Sequence, residues 1–523
     1  MVIVKPYGRM VICPAATPCH HPPDTTTWTT MRTIATAALT AALIVTSAAP
    51  AAAEPAPADL DAYIEASLER NGVPGAAWAV VSADGVEHTA AHGTDGNGDP
   101  VTETSPFLWG SVAKPVTATT VMTLVEDGRI DLDEPAATYL PDFTLADSGR
   151  SGRITVRHLL EQTSGIPEGT GITDRFDAAE DPYGQAVADL AVAETFAEPG
   201  TEFEYASANY LVLGAIVQAV SGMPYEDYLR EAVLEPTGMN GAIATAEAAQ
   251  AVPDGHAYVF GQATAIDAPF DPTGPSYGYL GGTVDDLARF AMMQLGKGAI
   301  GETRVLEPES VELAQTPAAA MNERVGYGLG WKIGDGNADL GTTTVFHTGG
   351  APGYSAAIVL LPELDRAVVI AQNAYGYFQD GALIGPVFGA ARIVAGGAAE
   401  LPEGDGLYVW ALAIVLSLLA AAALVTVWTL VRLRRAPKRI VPAWRVWIGM
   451  GCWAVGGLAL AYAMGVALPG LAPSRVLFTL MMPDVAWSAT ALAIAALAVV
   501  AAKLWAGSVR LRRGARAPES AGG

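Results

Sequence analysis

Three stretches in the last quarter of the chain carry no charge at all: residues 406–431, 446–474 and 485–502, which are 26, 29 and 18 positions long. A helix rises about 1.5 Å per residue, so roughly 20 residues cross a hydrocarbon core about 30 Å thick. Three buried helices of a soluble domain would each need a polar face, and these runs have none. The sequence therefore predicts transmembrane helices at 406–431, 446–468 and 485–505, with a tail at 507–523. Between the first two runs lies "RLRRAPKRIVPAWR", with six Lys/Arg and no acid, and after the third comes "KLWAGSVRLRRGAR". The linker between the second and third holds only Arg475 as a cation. Lys and Arg collect in cytoplasmic loops. Both basic segments and the tail are thus expected inside, and everything before residue 406 outside.

The other end of the chain points the same way. From Met31, "MRTIATAALTAALIVTSAAPAAAEP" has a charged start, an apolar run and Ala51-Ala52-Ala53. This is the pattern of a signal peptide with an A-x-A cleavage site, expected at 31–53 with the mature chain starting near Glu54. Translation is then expected to begin at Met31, making residues 1–30 a start-site artefact. The cluster Cys13, Cys19, His20 and His21, which faintly resembles a metal site, would go with them.

Charge divides the remainder. Residues 54–405 hold 51 acidic and 15 basic side chains, a net of −36, whereas residues 406–523 hold 2 and 12, a net of +10. The acidic region would repel phosphate, so nucleic acid is not an expected partner. It also contains no cysteine, which leaves no disulfide framework, thiolate nucleophile or Cys-held metal there. A chain of 523 residues exceeds one compact core, so more than one domain is expected.

Within 54–405 the pattern alternates between helix and strand. "DLDAYIEASLERNG" places Leu60, Tyr63, Ile64 and Leu68 on one helical face and stops at Asn71-Gly72. "AAWAVVSADGVEHTAAHG" reads as two strands around Asp84-Gly85. A helix is expected from Ser111, a Pro- and Gly-punctuated helical middle from about 140 to 250, and an amphipathic helix over 281–296. "YGLGWKI", "TTVFHTGG", "YSAAIVLLP" and "RAVVIAQNA" read as successive antiparallel strands. Strands at both ends with helices between predict an α+β fold, an antiparallel sheet flanked by helices with an inserted all-helical subdomain.

Three stretches carry candidate chemistry. "WGSVAKPVTA" sets Ser111 at a helix start with Lys114 at i+3 on the same face, in a region that spends few lysines. "FEYASANYLVLG" offers Tyr205, Ser207, Asn209 and Tyr210, and "VFHTGGAPGYS" offers His347, Thr348, Gly349 and Gly350. A serine hydroxyl is a weak nucleophile that needs a base. Lys114 serves if burial and a neighbouring cation lower its pKa. The positive end of the helix dipole favours a developing alkoxide on Ser111. Ser164 is expected at a helix stop with Gly165 left-handed, and Ser355 in a strand. No H-E-x-x-H is present.

In order, these stretches resemble the S-x-x-K, Y-x-N and K/H-T-G motifs of the serine β-lactamase and penicillin-binding-protein superfamily. "GVPGAAWAVV", "LVEDGRIDLDEPAATYLPDF", "ITVRHLLEQTSGIP", "LEPTGM", "GGTVDDLARF" and "YGLGW" extend the resemblance, to class C β-lactamase-related serine hydrolases, over 59–396. It implies a catalytic group of Ser111, Lys114 and Tyr205, and an oxyanion hole from the N–H groups of Ser111 and Gly350. Ser207, His347, Thr348 and Gly349 would bind substrate, with no cofactor or metal. Two positions depart from the pattern: Ser207 stands where Asn is usual, and the third motif begins with His347 rather than Lys. Both count against a dedicated β-lactamase. His347 is expected to carry a charge that helps an anionic substrate bind and fades as pH rises past about 6.5.

The expected function is a membrane-anchored extracytoplasmic serine hydrolase working through an acyl-enzyme. Its substrate would be an ester or amide, a D-Ala-type peptide or another cell-envelope compound, with weak β-lactam hydrolysis. The rivals are a penicillin-interacting sensor acylated without turnover and a non-catalytic binding protein.

Overall fold

The computed structural model describes residues 57–176, 180–402, 406–435, 441–472 and 474–515. The expected signal peptide, the start-site segment with Cys13, Cys19, His20 and His21, and residues 516–523 lie outside the described residues.

Helix α1 (Pro57–Asn71) leads into β1 (Gly75–Ser82) and β2 (Gly85–Gly93). Helix α2 (Ala113–Glu126) opens the helical part of the chain, which includes α3 (Ser207–Ser221). The hairpin β3 (Gly255–Val259) and β4 (Gln262–Ile266) and helix α4 (Val284–Leu295) follow. Next come β5 (Ala319–Ala320), β6 (Val325–Tyr327), β7 (Lys332–Gly334), β8 (Thr344–Ala351), β9 (Tyr354–Leu361), β10 (Arg366–Gln372) and helix α5 (Asp380–Val394).

Eight of these strands form one antiparallel sheet in the order β2-β1-β10-β9-β8-β7-β6-β5. Pairing of β1 with β10, Ala76 opposite Gln372 and Val81 opposite Ala367, joins the two ends of the catalytic region. Successive strand residues face opposite sides, and the core follows that rule. Ala77, Ala79, Val81, Ile358 and Val369 face the helical part, whereas Trp78, Val80, Val359, Val368 and Ile370 pack on Leu60, Ile64 and Leu68 of α1 and Leu383 and Val387 of α5. The architecture is the expected α+β fold. One expected strand proves to be two: in "YGLGWKI" the chain turns at Gly330, φ +82°, so β6 and β7 are separate. Helix α4 starts at Thr283, whose Oγ1 accepts from Asp286 N while Thr283 N donates to the Asp286 carboxylate, a reciprocal cap.

Three long apolar helices end the described chain: α6 (Leu407–Arg434), α7 (Ala443–Tyr462), continued to Leu471 by shorter turns, and, after the short α8 (Arg475–Met481), α9 (Pro483–Ala515). Each is long and apolar enough to cross a membrane. Helix α9 packs between α6 and α7 and is the most buried of the three. At one end of the bundle, Arg432, Arg445, Lys503, Arg510 and Arg513 line a cavity of about 310 Å³, where Lys503 lies 4.4 Å from the Trp453 ring centre. The opposite end holds the catalytic region. Phe260 N, at the tip of the β3–β4 hairpin, donates to Asp484 Oδ2 at 2.8 Å, and Gly261 N donates to the Tyr408 hydroxyl at 2.9 Å. Tyr408 in turn donates to Asp484.

Candidate active site

The position of Ser111 is fixed by close backbone contacts. Trp109 N donates to Leu280 O at 2.9 Å, and Gly110 follows with φ +56°, a conformation that suits only a residue without Cβ. A Cβ on Gly110 would sit 2.4 Å from Gly350 N, and one on Gly349 would sit 2.0 Å from Trp109 O and 2.6 Å from Ser111 N. These glycines let strand β8 lie directly against the turn that carries Ser111. That turn, Gly110–Val112, is a single 3₁₀ turn running straight into α2 rather than the first turn of the α-helix itself.

Lys114, one turn on, has no exposed surface. Its Nζ donates to Ser111 Oγ at 2.9 Å, to Ser207 Oγ at 3.3 Å and to Tyr277 O at 2.8 Å. An ammonium has three protons to donate, and each finds an acceptor. Burial brings the Lys114 amine down to about 7; Glu168 and Asp174 pull it back up, and Lys332 pushes it further down. Near neutral pH, part of the population therefore presents a lone pair at hydrogen-bond distance from the serine hydroxyl.

Tyr205, just ahead of α3, lies between two amines. Its ring centre is 4.8 Å from Lys114 Nζ and 5.3 Å from Lys332 Nζ. Burial above all, and then Tyr327, push its phenol well above the usual value, against a hydrogen bond with Ser111. A phenol in that state holds its proton at neutral pH. Ser207 begins α3, its N donating to Glu168 Oε2 at 2.9 Å and its Oγ meeting Lys114. Asn209 and Tyr210 are interior: Asn209 bonds to Ser164 and Gln162, and Tyr210 donates to Leu160 O. Ser164 is buried in that network beside a left-handed Gly165, and Ser355 donates to Ala374 O within the sheet.

His347 departs from expectation. It has no exposed surface, with Nδ1 at 2.9 Å from Thr348 O and Nε2 at 3.5 Å from the Tyr327 hydroxyl. Burial first, then Lys332 and Lys114, hold its pKa well below the ordinary histidine range. Burial thus works against the charge expected of it, and its ring centre lies 6.2 Å from that of Tyr205. Lys332, on the adjacent strand opposite Phe346, supplies a cation instead, its Nζ 3.4 Å from Thr348 Oγ1. Burial brings Lys332 down to about 8 against the pull of Asp380, so it stays mostly charged at neutral pH. The signal was present in the sequence: residues 54–405 hold only Lys114, Lys297 and Lys332, and a lysine between Trp331 and Ile333 in a strand is an unusual placement.

Ser111, Ser207 and Gly350 open on a cleft of about 90 Å³, whose wall also carries Glu168, Asp174, Tyr277 and Tyr279. The two carboxylates come from the loop "IPEGTGITD", where nothing in an already acidic sequence distinguishes them. Asp174 is fixed by Tyr279, whose hydroxyl donates to its Oδ1 at 2.8 Å, and burial raises its pKa. Gly278, Ala351 and Pro352 line it too, and so do Leu477 and Met481 of α8.

Comparison with known proteins identifies the family and the fold. A family model described as Beta-lactamase matches residues 60–385. Penicillin-binding protein 4 of Amycolatopsis lactamdurans is 34% identical over 326 residues, 59% of this chain and 84% of that protein. Protein flp of Staphylococcus aureus is 24% identical over 60% of this chain and 62% of its own length, so the chain spans less than two thirds of that relative. Among solved structures, the octameric penicillin-binding protein homologue from Pyrococcus abyssi superposes with a TM-score of 0.55 at 25% identity, covering 66% of this chain and 78% of that one. A D-stereospecific amidohydrolase from Streptomyces sp. shares the fold, with a TM-score of 0.52 at 23% identity over 61% of this chain and 94% of its own. The family match ends at residue 385, ahead of the three apolar helices. With a serine, a buried lysine and a tyrosine gathered where the matching region folds, the chain belongs to the beta-lactamase family of serine hydrolases.

Proposed function

We propose that this chain is a membrane-anchored, extracytoplasmic hydrolase that forms an acyl-enzyme on Ser111. The observation that carries the reading is the buried Lys114 amine, 2.9 Å from Ser111 Oγ and brought down to about 7. In the reaction, Ser111 Oγ attacks the substrate carbonyl while its proton passes to Lys114 Nζ. The N–H groups of Ser111 and Gly350 receive the oxyanion, a role worth about 3–4 kcal/mol per donor in other hydrolases. Tyr205, a protonated phenol beside both groups, relays a proton from Lys114 to the leaving group. Water then enters, gives its proton back along the same path, and releases the acid with Ser111 restored. Thr348 and Lys332 are assigned to a substrate carboxylate or other acceptor group; Gly349 and Ser207 shape the cleft.

The substrate is an ester or amide of the cell envelope. Glu168 and Asp174 on the cleft wall favour an acyl group carrying an amine near the reacting carbonyl, as an aminoacyl group does. We assign residues 31–53 to a signal peptide, 54–405 to the outward catalytic region, and the helices at 406–431, 446–468 and 485–505 to three spans. The basic cavity at the end of the bundle remote from the catalytic region supports that orientation.

The test uses the full chain with a panel of esters, D-amino-acid peptides and β-lactams, read by intact mass. An adduct on the wild type that is absent from Ser111→Ala is expected; labelling that persists in Ser111→Ala overturns the assignment. Protease added outside intact cells should remove the catalytic region and spare a C-terminal tag; a tag accessible from outside would reverse the topology.

A further inference from the structure

Helix α8 connects the second and third apolar helices, yet its Leu477 and Met481 line the same cleft as Ser111 and Gly350. Four residues apart, they stand on one helical face. The helix is held in place: Ser474 Oγ accepts from Leu477 N at 3.0 Å, Arg475 donates to Gly465 O, and Phe478 packs with Val485 and Ala486. Three residues beyond its end, Asp484 is bonded to the β3–β4 hairpin of the catalytic region. Both ends of α8 lie within four residues of a span, at Leu471 and Pro483. The mouth of the cleft is therefore held where the helices leave the bilayer.

Volume and polarity say what passes there. The cleft holds about 90 Å³, against about 300–1,000 Å³ in sites that enclose a drug-sized ligand. The reacting group fits and the rest of the substrate must lie outside. An exit along α8 would pass Met481 and Leu477, the latter 8% exposed, and on the same stretch of chain Val476 and Leu471 are 50% and 83% exposed. A sugar or peptide chain gains nothing on that path; an alkyl chain continues from it into the bilayer.

We propose, resting on the serine-hydrolase reading above, that the substrate is a membrane amphiphile. Its scissile ester or amide enters the cleft while its apolar chain stays in the bilayer, guided by Leu477 and Met481. The apolar helices thus complete the substrate site as well as anchoring it.

The experiment reconstitutes the full chain in phosphatidylcholine vesicles and offers three esters of one acyl group. One is on a short soluble alcohol, one on a long alkyl alcohol, and one on the same alkyl alcohol through a hydrophilic spacer. The directly anchored ester should react at least about tenfold faster than the spaced one at equal surface concentration, because the spacer lifts the bond away from a site at the membrane. Met481→Glu should shrink that ratio about fivefold or more with Tm unchanged, and Leu477→Ala should do so in part. A spaced ester that matches or outpaces the direct one, or a soluble ester that equals both, overturns the proposal. So does Met481→Glu if it accelerates all three, which would make α8 a plug. Labelling of Ser111 by a fluorophosphonate separates the two ideas. Labelling with no preference among esters sinks only the amphiphile; no labelling and no cleavage sinks the hydrolase reading and the amphiphile with it.

Discussion

Trp78, Trp109 and Trp331 of the catalytic region are sealed at 0–1% exposure, whereas Trp410, Trp447 and Trp505 of the C-terminal bundle stand 59–70% exposed. The catalytic region turns its apolar side chains onto the two faces of a sheet and, among the described residues, buries few of its carboxylates, Asp271 and Asp286 being two. In the bundle the arrangement is inverted, with apolar side chains outward and the cations gathered at one end. Apolar outward faces of this kind are long enough for a hydrocarbon core to cover, whereas α1, α2, α4 and α5 cover the sheet. The seam between the two regions is part apolar, with the Phe378 and Tyr408 ring centres 5.9 Å apart, and part polar. Asp484, 1% exposed and the one acid between residues 406 and 515, joins Tyr408 to the tip of the β3–β4 hairpin.

The largest expected effect separates chemistry from architecture. Ser111→Ala should lower turnover by about 10⁴-fold or more while leaving Tm and membrane insertion unchanged. Lys114→Ala should come close to the same loss, because the two act as one unit. Turnover surviving Ser111→Ala would mean the catalytic region works elsewhere.

Next in size is the replacement of a missing charge. Lys332→Met should weaken kcat/KM for a carboxylate-bearing ester by about 10–100-fold relative to a neutral one, the usual worth of a charged hydrogen bond. Equal losses on both substrates would remove Lys332 from recognition.

The pH dependence follows from burial of Lys114. Its working form is the neutral amine, so kcat/KM should climb about tenfold per pH unit below about 7 and level off above it. Stability shares the sign. The folded value lies below the ordinary 10.5, so the native state binds fewer protons between about 7 and that value, and stability rises with pH across this window. An activity profile flat from mildly acidic to neutral pH would rule out Lys114 as the base.

A smaller effect tests the seam. Asp484→Ala strands the Phe260 N–H and the Tyr408 hydroxyl, at a cost of about 1–3 kcal/mol. Faster proteolysis in the connection 397–406, with the catalytic rate on a soluble ester little changed, is the expected reading. Smallest of all is His347→Gln: with a neutral, interior ring, preference between anionic and neutral esters should not move. A lost preference at low pH would restore the charged histidine.

Much of this was legible because it is local. Run length alone marks the apolar helices, short apolar runs mark β1, β9 and β10, and an i, i+3 spacing puts Lys114 beside Ser111. The rest depends on contacts between distant residues. Lys114 meets Ser207 across 93 positions and Tyr277 across 163, and a motif shows only that a lysine is near a serine, not what else surrounds its amine. His347 kept its motif and lost its charge, since burial and two neighbouring lysines decide ionisation and no sequence pattern records either. Glu168 and Asp174, and Leu477 and Met481 from the C-terminal bundle, reached the site because separate elements converge on one cleft, and Lys332 meets Thr348 from the adjacent strand. The sequence by itself determined the family, a serine with a lysine one turn on, and which helices are long and apolar enough to cross a membrane, all properties of neighbouring residues and composition. Only the tertiary structure decided which cation stays charged and which wall the substrate meets, because those rest on burial and on distances between groups far apart in the chain.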